Sequence, residues 1–265
     1  MRRPLETLLA AIARRDSAAR LYFCGDYCDR GPDSRGVVDL LLTLAGATFV
    51  RGNHDDVMDL CCSGKSFGTG PGLGGDVDEQ TAREVKELFL REGLMETLVS
   101  YGADQAELGR RAGDGPAVLA WIDQAIAQVP AAHKKFYRQL PAVAEADDFF
   151  VCHATWPADQ LDEPGRMNGI AAGDPYLRHD VLWGRYSASQ LKSKKAWRRT
   201  GYFGHTPTDN YRDHPALFAA KGGPAFGEKV VLLDTAAFAP GGWLTAVCHD
   251  DGAVLQAHRS GELMG

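Results

Sequence analysis

Two short polar clusters stand one helix-length apart near the start of the chain: Cys24-Gly25-Asp26-Tyr27-Cys28-Asp29-Arg30-Gly31, then Arg51-Gly52-Asn53-His54-Asp55. A carboxylate and an amide oxygen suit a hard divalent ion, and an imidazole beside them suits proton transfer. Either cluster alone also reads as an ordinary capped turn or helix entry; the pairing at this spacing is what points to chemistry. Each cluster follows a β-branched and aromatic run, Leu21-Tyr22-Phe23 and Thr48-Phe49-Val50. Between them, Val37, Val38, Leu40, Leu41, Leu42 and Leu44 form the apolar face of a helix, with Asp33 or Ser34 as its cap. This strand–helix–strand pattern predicts parallel neighbouring strands with a right-handed crossover. Loops leaving one end of a parallel sheet form ligand sites, so Asp26, Asp29, Arg30, Asn53 and His54 are expected at one rim.

Gly-Asp-x-x-Asp-Arg-Gly followed by Gly-Asn-His-Asp resembles the calcineurin-like metallophosphoesterases. The branch it looks most similar to is that of the serine/threonine protein phosphatases and symmetrical diadenosine-tetraphosphate hydrolases. Further landmarks of that family follow in order: Val151-Cys152-His153-Ala154, Leu182-Trp183-Gly184-Arg185, Gly204-His205-Thr206-Pro207 and Leu233-Asp234-Thr235. The resemblance implies an α/β fold, a four-layer α-β-β-α sandwich of two mixed sheets with a helical insertion. It implies Asp26 as a bridging carboxylate, with Asn53, His153 and His205 completing one metal's shell. His54 takes the place of the proton donor, oriented by Asp29, and Arg30 and Arg185 take those of the phosphate clamps. Asp234 reads as structural. Manganese is the first expectation for the metal, with iron, zinc or magnesium as alternatives. Substrates implied are a phosphorylated protein or a small phosphoester or dinucleotide. The alternative is a degenerate phosphate- or phosphoprotein-binding protein without turnover.

One landmark of that family is absent. Its opening strand ends in Gly-Asp-x-His-Gly and supplies an Asp and a His to a second ion, whereas only Met1-Arg2-Arg3 precede the first helix here. Two expectations follow: a late start, with a longer natural product, or a true degenerate member holding one ion or none. Retention of the other site positions favours the late start. Asp16, Asp33, Asp55 and Asp56 are the carboxylates that could compensate.

The remaining chain must position these groups. The 265 residues suit a single domain over 1–265 with a helical insertion at about 57–140. A net charge of −6 and a pI of about 5.7 give no general attraction to nucleic acid or anionic membrane. No apolar run reaches transmembrane length, and the first residues lack a signal peptide's apolar region. Of Cys24, Cys28, Cys61, Cys62, Cys152 and Cys248, four sit in or beside strand-like runs, as small buried hydrophobes do, and a reducing cytoplasmic location is expected.

Pro4 to Arg14 reads as a helix, and Ser63 to Gly75, with six glycines, as a mobile loop. Gly64-Lys65-Ser66 lacks the earlier glycine of a phosphate loop, since position 59 is Asp. Helical segments are expected over Glu79–Tyr101, Ala117–Ala127 and Ala131–Leu140. Strands are expected at Ala142–Ala146, Phe149–Val151, Val181–Trp183, Tyr202–Phe203 and Val230–Leu233. A closing hairpin is expected from Leu244–His249 and Ala253–His258. The basic stretch Ser187 to Arg199 reads as a solvated face, or alternatively as an acidic-substrate contact. His133, His179, His214, His249 and His258 read as surface or structural.

Overall fold

A computed structural model of the chain describes residues 1–68, 75–220 and 222–264. The fold is mixed α/β with several sheets. Helix α1, Arg2–Arg15, buries Leu5, Leu8 and Ala11 along one face. Strand β1, Tyr22–Phe23, pairs in parallel with β2, Thr48–Phe49, in the register Tyr22↔Thr48 and Phe23↔Phe49. The crossover is α2, Ser34–Leu41, whose cap is Asp33; its carboxylate accepts from the Gly36 amide at 2.8 Å. Helix α3, Asn53–Ser63, starts directly after β2 and is buried over most of its length.

A two-residue pair, β3 (Lys65–Ser66) with β4 (Gly75–Asp76), brackets the glycine-rich stretch. The loop expected there falls largely on 69–74, outside the described residues. Next come α4, Glu79–Phe89, a π-helical turn at Leu90–Leu94, and α5, Met95–Ser100. What the periodicity reads as one helix is thus broken where Gly93 takes φ 116°. The segment continues with α6 (Gln105–Arg110), α7 (Gly115–Ala127) and α8 (Ala131–Gln139). The short α6 escaped the sequence reading because it buries no residue.

The largest sheet has five strands in the order β5-β6-β7-β9-β8. Here β5 is Val143–Glu145, β6 Phe149–Cys152, β7 Thr200–Phe203, β8 Ala225–Gly227 and β9 Val230–Leu232. Strands β6, β7 and β9 are parallel, and β5 and β8 add antiparallel edges. Side chains alternate as a pleat requires. Phe150, Cys152, Phe203, Val230 and Leu232 face a core with Trp156, Trp197 and Val181. Val151, Tyr202 and Val231 face Tyr22, Cys24, Val50 and Val247. The chain ends in β10 (Trp243–Val247), β11 (Val254–His258) and β12 (Leu263–Met264), an antiparallel three-stranded sheet.

One expected strand is a helix. Val181–Trp183 ends α10, Pro175–Trp183, which follows α9, Met167–Gly173. Asp174 caps α10 by accepting from the amides of Tyr176 and Leu177, and Pro175 stands in the first turn. Leu177, Val181 and Leu182 are buried at helical spacing, a pattern that three apolar residues alone could not distinguish from a strand. The basic stretch holds α11, Ala188–Lys192, and is only partly solvated. Lys195 is buried and donates to the Gln190 and Ser193 carbonyls, while buried Arg199 pairs with Asp162 and Glu145.

Arg51 ties the β2–α3 junction to α8. Its guanidinium is buried, pairs with Asp56 at 2.8 Å and Asp59 at 3.1 Å, and donates to the carbonyls of Tyr137, Arg138 and Leu140. Removing the cation would leave these acceptors desolvated beside two carboxylates. Arg51→Met should therefore cost about 3–5 kcal/mol of stability. Matched urea denaturation of both proteins measures this; a loss below about 1 kcal/mol would contradict the account.

Candidate metal and proton-transfer site

Four of the candidate ligands leave the carboxyl ends of four strands. Asp26 follows β1, Asn53 follows β2, His153 follows β6 and His205 follows β7. Within each sheet those two strands are parallel, so their ends face the same way. The loops are conformationally demanding: Asp26, Asp29, Arg30 and His205 all take left-handed φ, between 57° and 67°. Asp and His tolerate this region better than most residues, and such backbone recurs at functional sites. Gly52 is required where the two loops touch, because a side chain there would run into the Asp26 carboxylate and backbone.

Asp55 holds the loops together. One of its carboxylate oxygens accepts from the amides of Asp26 at 2.8 Å and Gly52 at 2.9 Å, and the other from Tyr27 at 2.9 Å. It is fully buried. Burial first, and the Asp26 charge second, push its carboxyl up to about 7, against the pull of the three amides. The sequence reading named Asp55 only as a spare ligand; its position three residues past the helix cap Gly52 was the signal for this bracing role.

The ligand cluster is built from electron-pair donors aimed at one another. His153 Nδ1 donates to the Cys24 carbonyl at 2.6 Å, so in the neutral ring Nε2 presents its lone pair. That Nε2 lies 2.9 Å from Asn53 Oδ1 and 3.4 Å from Asp26 Oδ1. His205 Nδ1 lies 3.1 Å from the same Asn53 oxygen, and its buried Nε2 has no hydrogen-bond partner among the described residues. Ligand atoms of Asp26, His153 and His205 all fall within 4.8 Å of one another. Acceptors crowded this way, with an orphaned buried nitrogen among them, are satisfied by a cation. The residues thus fit a divalent ion. Burial raises the Asp26 carboxyl, but the neighbouring histidines in their charged forms, His153 first, and the His54 amide outweigh it and hold it below its ordinary value. Burial, then His153, depress His205 to about 3, so it stays a neutral donor.

Beside this cluster, His54 Nδ1 donates to Asp29 Oδ2 at 2.7 Å, leaving Nε2 as the second nitrogen of a fixed ring. Burial pulls His54 down, yet Asp26 and the Asp29 bond prevail and hold it above the usual imidazole range. The Phe89 ring stands edge-on, 5.2 Å away. Arg30 donates to the Glu92 carboxylate at 3.1 Å and to its carbonyl at 3.2 Å, with its guanidinium over Phe238. Exposed Arg185 reaches Thr206 Oγ1 at 3.3 Å.

All eight residues singled out from the sequence (Asp26, Asp29, Arg30, Asn53, His54, His153, Arg185 and His205) line one cavity of about 810 Å³. The other carboxylates considered are engaged elsewhere. Asp16 accepts from the Ala18 amide, Asp33 caps α2, and Asp56 binds Arg51, Ser66 and the amides of Phe67 and Gly68. Asp234 accepts from the Ala236 amide and lies outside the ligand group. His133 is buried between Tyr101 and Asp39, and His249 joins Tyr202 to Asp148.

A family model described as calcineurin-like phosphoesterase matches residues 2–178. Among solved structures, a metallophosphoesterase from Sphaerobacter thermophilus is similar at 16% identity, covering 99% of this chain and 84% of that chain, with a TM-score of 0.48. No curated protein matches.

If the crowded acceptors are a cation site, Asn53→Ala, His153→Ala and His205→Ala should each lower the amount of Mn²⁺ retained after desalting. Elemental analysis of the purified variants reads this directly. Unchanged metal content in all three would remove the assignment.

Proposed function

Because this chain belongs to the calcineurin-like phosphoesterase family, whose members are metal-dependent hydrolases, we propose that it hydrolyses phosphoesters at the rim formed by β1, β2, β6 and β7. The observation that carries this reading is the convergence of Asp26, Asn53, His153 and His205 beside the His54–Asp29 pair. The four residues would hold the ion. When bound, a divalent ion supplies positive charge for the phosphoryl oxygens and lowers the pKa of water.

The chain's own groups do the rest. Arg30 and Arg185 offer guanidinium forks to the phosphoryl oxygens, the geometry in which such forks bind best. Arg30 enters this role already held on one side by Glu92 and Phe238, which limits the directions its free N–H groups take. His54, protonated on Nε2, gives that proton to the departing ester oxygen, and Asp29 holds the ring and stabilises its charge. The apolar ring of Phe89 keeps water from the dyad.

Manganese is our choice of ion, on the resemblance to the calcineurin-like family; the mixed oxygen and imidazole donor set also suits iron, zinc or magnesium. The serine/threonine phosphatase and symmetrical diadenosine-tetraphosphate hydrolase branch is supported by the Gly-Asp-x-x-Asp-Arg-Gly and Gly-Asn-His-Asp motifs, with a phosphoprotein or a dinucleotide polyphosphate as substrate. A four-layer α-β-β-α arrangement, a single domain with its insertion at 57–140, and a reducing cytoplasmic setting belong to the same proposal, the last on six free thiols. A second reading, phosphate binding without turnover, is favoured by one observation: Asp26, His153 and His205 form one potential metal group among the described residues.

The two readings separate on a panel of nitrophenyl phosphate, a phosphopeptide and diadenosine tetraphosphate, assayed with added Mn²⁺ and again with chelator. Chelator-sensitive turnover of any member supports the hydrolase; saturable phosphate binding with no turnover supports the binding protein. In the hydrolase, His54→Asn should retain metal and slow turnover of poor leaving groups by about 10²–10⁴-fold. The loss should shrink for nitrophenol, and equal losses across leaving groups would refute the proton-donor role.

A further inference from the structure

We propose that Thr97, on α5 of the helical insertion, is a positioning residue for the Asp29–His54 pair. The proposal rests on the reading of His54 as proton donor to the leaving group. Thr97 is fully buried, and its Oγ1 has three partners: the Asp29 amide at 2.7 Å, Asp29 Oδ1 at 2.7 Å and Ser34 Oγ at 3.0 Å. A hydroxyl has one proton to give and two lone pairs. The Asp29 amide can only donate and its carboxylate can only accept, so the Thr97 proton goes to Asp29 Oδ1. Both lone pairs are then filled, one by the amide and one by the Ser34 hydroxyl. Every role at Thr97 is determined.

This leaves Asp29 one way to stand. Its backbone is held at φ 67° by the bond from its amide, and its Oδ1 by the bond from the threonine. Oδ2 is thereby turned to His54 Nδ1 at 2.7 Å. Thr97, Asp29 and His54 are all buried, so these bonds keep more of their electrostatic strength than exposed ones would. The insertion reaches this position by close approach: a side chain at Gly93 would collide with the Arg30 backbone and the Asp29 Cβ. The kink at Leu90–Leu94 therefore brings Gly93 against the Asp29–Arg30 backbone and Thr97 under the carboxylate. A helical segment distant in sequence from both Asp29 and His54 thus supplies one of the site's internal supports.

Thr97→Val keeps the shape and deletes the hydroxyl; Thr97→Ser keeps the hydroxyl. With Mn²⁺, Thr97→Val should lower kcat on phenyl phosphate by about tenfold to a hundredfold, part of what loss of the general acid costs. The rate on dinitrophenyl phosphate, KM and inhibition by inorganic phosphate should change little, and Thr97→Ser should retain the parent rates. A loss that is equal for both leaving groups, or that Thr97→Ser shares, would overturn the proposal. A readout without turnover is the His54 Nδ1–H proton resonance of the metal-free protein, assigned with His54→Asn. It should be sharp in the parent and Thr97→Ser and lost to solvent exchange in Thr97→Val. If the parent hydrolyses nothing, the functional reading fails by itself, and this resonance still decides: an unchanged signal in Thr97→Val refutes the positioning role.

Discussion

The Asp55 carboxylate, buried and accepting from three backbone amides, holds the loop after β1 against the loop after β2. Without it, the left-handed backbone at Asp26 would have no brace, and the Asp26 side chain would not be kept facing Asn53 and His153. The arrangement costs a buried charge, offset by three charge-assisted hydrogen bonds, each stronger than a neutral pair. It also couples two properties. Asp55 lies next to the Asp26 charge, so the same burial that makes the brace rigid raises the carboxyl that must stay ionised to accept. A cation on the Asp26 side relieves that repulsion, which links ion binding to the order of both loops.

A second layer of support comes from the segment of α4, the π-helical turn and α5. Thr97 bonds Asp29, Phe89 lies against His54, and Glu92 engages Arg30, so three parts of the segment each touch a different candidate site residue. The break in the helix at Gly93 is what allows it. A side chain at Gly93 would meet the Arg30 backbone. The kink accompanies this close approach in a segment whose periodicity alone favours an unbroken helix.

Much of this was legible in the chain. Two polar clusters behind β-rich runs, one helix apart, implied parallel strands with a shared rim, and β1 and β2 pair that way. His153 and His205 stood out because each ends a strand-like run, and both side chains reach Asn53. What escaped depends on contacts that the residues carrying each reading do not themselves reveal. Val181–Trp183 looked like a strand because the Asp174 cap and Leu177 that make it a helix lie outside three apolar residues. Lys195 and Arg199 looked solvated because Glu145 and Asp162, the partners of Arg199, come from other parts of the chain. Thr97 carried no signal, since a lone threonine in a helix gives no hint that it will meet a carboxylate 68 positions away.

The central claim is that the acceptors gathered at Asp26, Asn53, His153 and His205 are arranged for a cation, and anomalous diffraction from Mn²⁺-soaked crystals tests it most directly. Data collected on either side of the manganese edge locate the ion without reference to activity. The account predicts a peak about 2.0–2.3 Å from Asp26, Asn53 Oδ1 and a nitrogen of His153 and His205, in the range for oxygen and imidazole ligands. A protein that takes up no manganese there, with His153 Nε2 still facing Asn53 and Asp26, would contradict it.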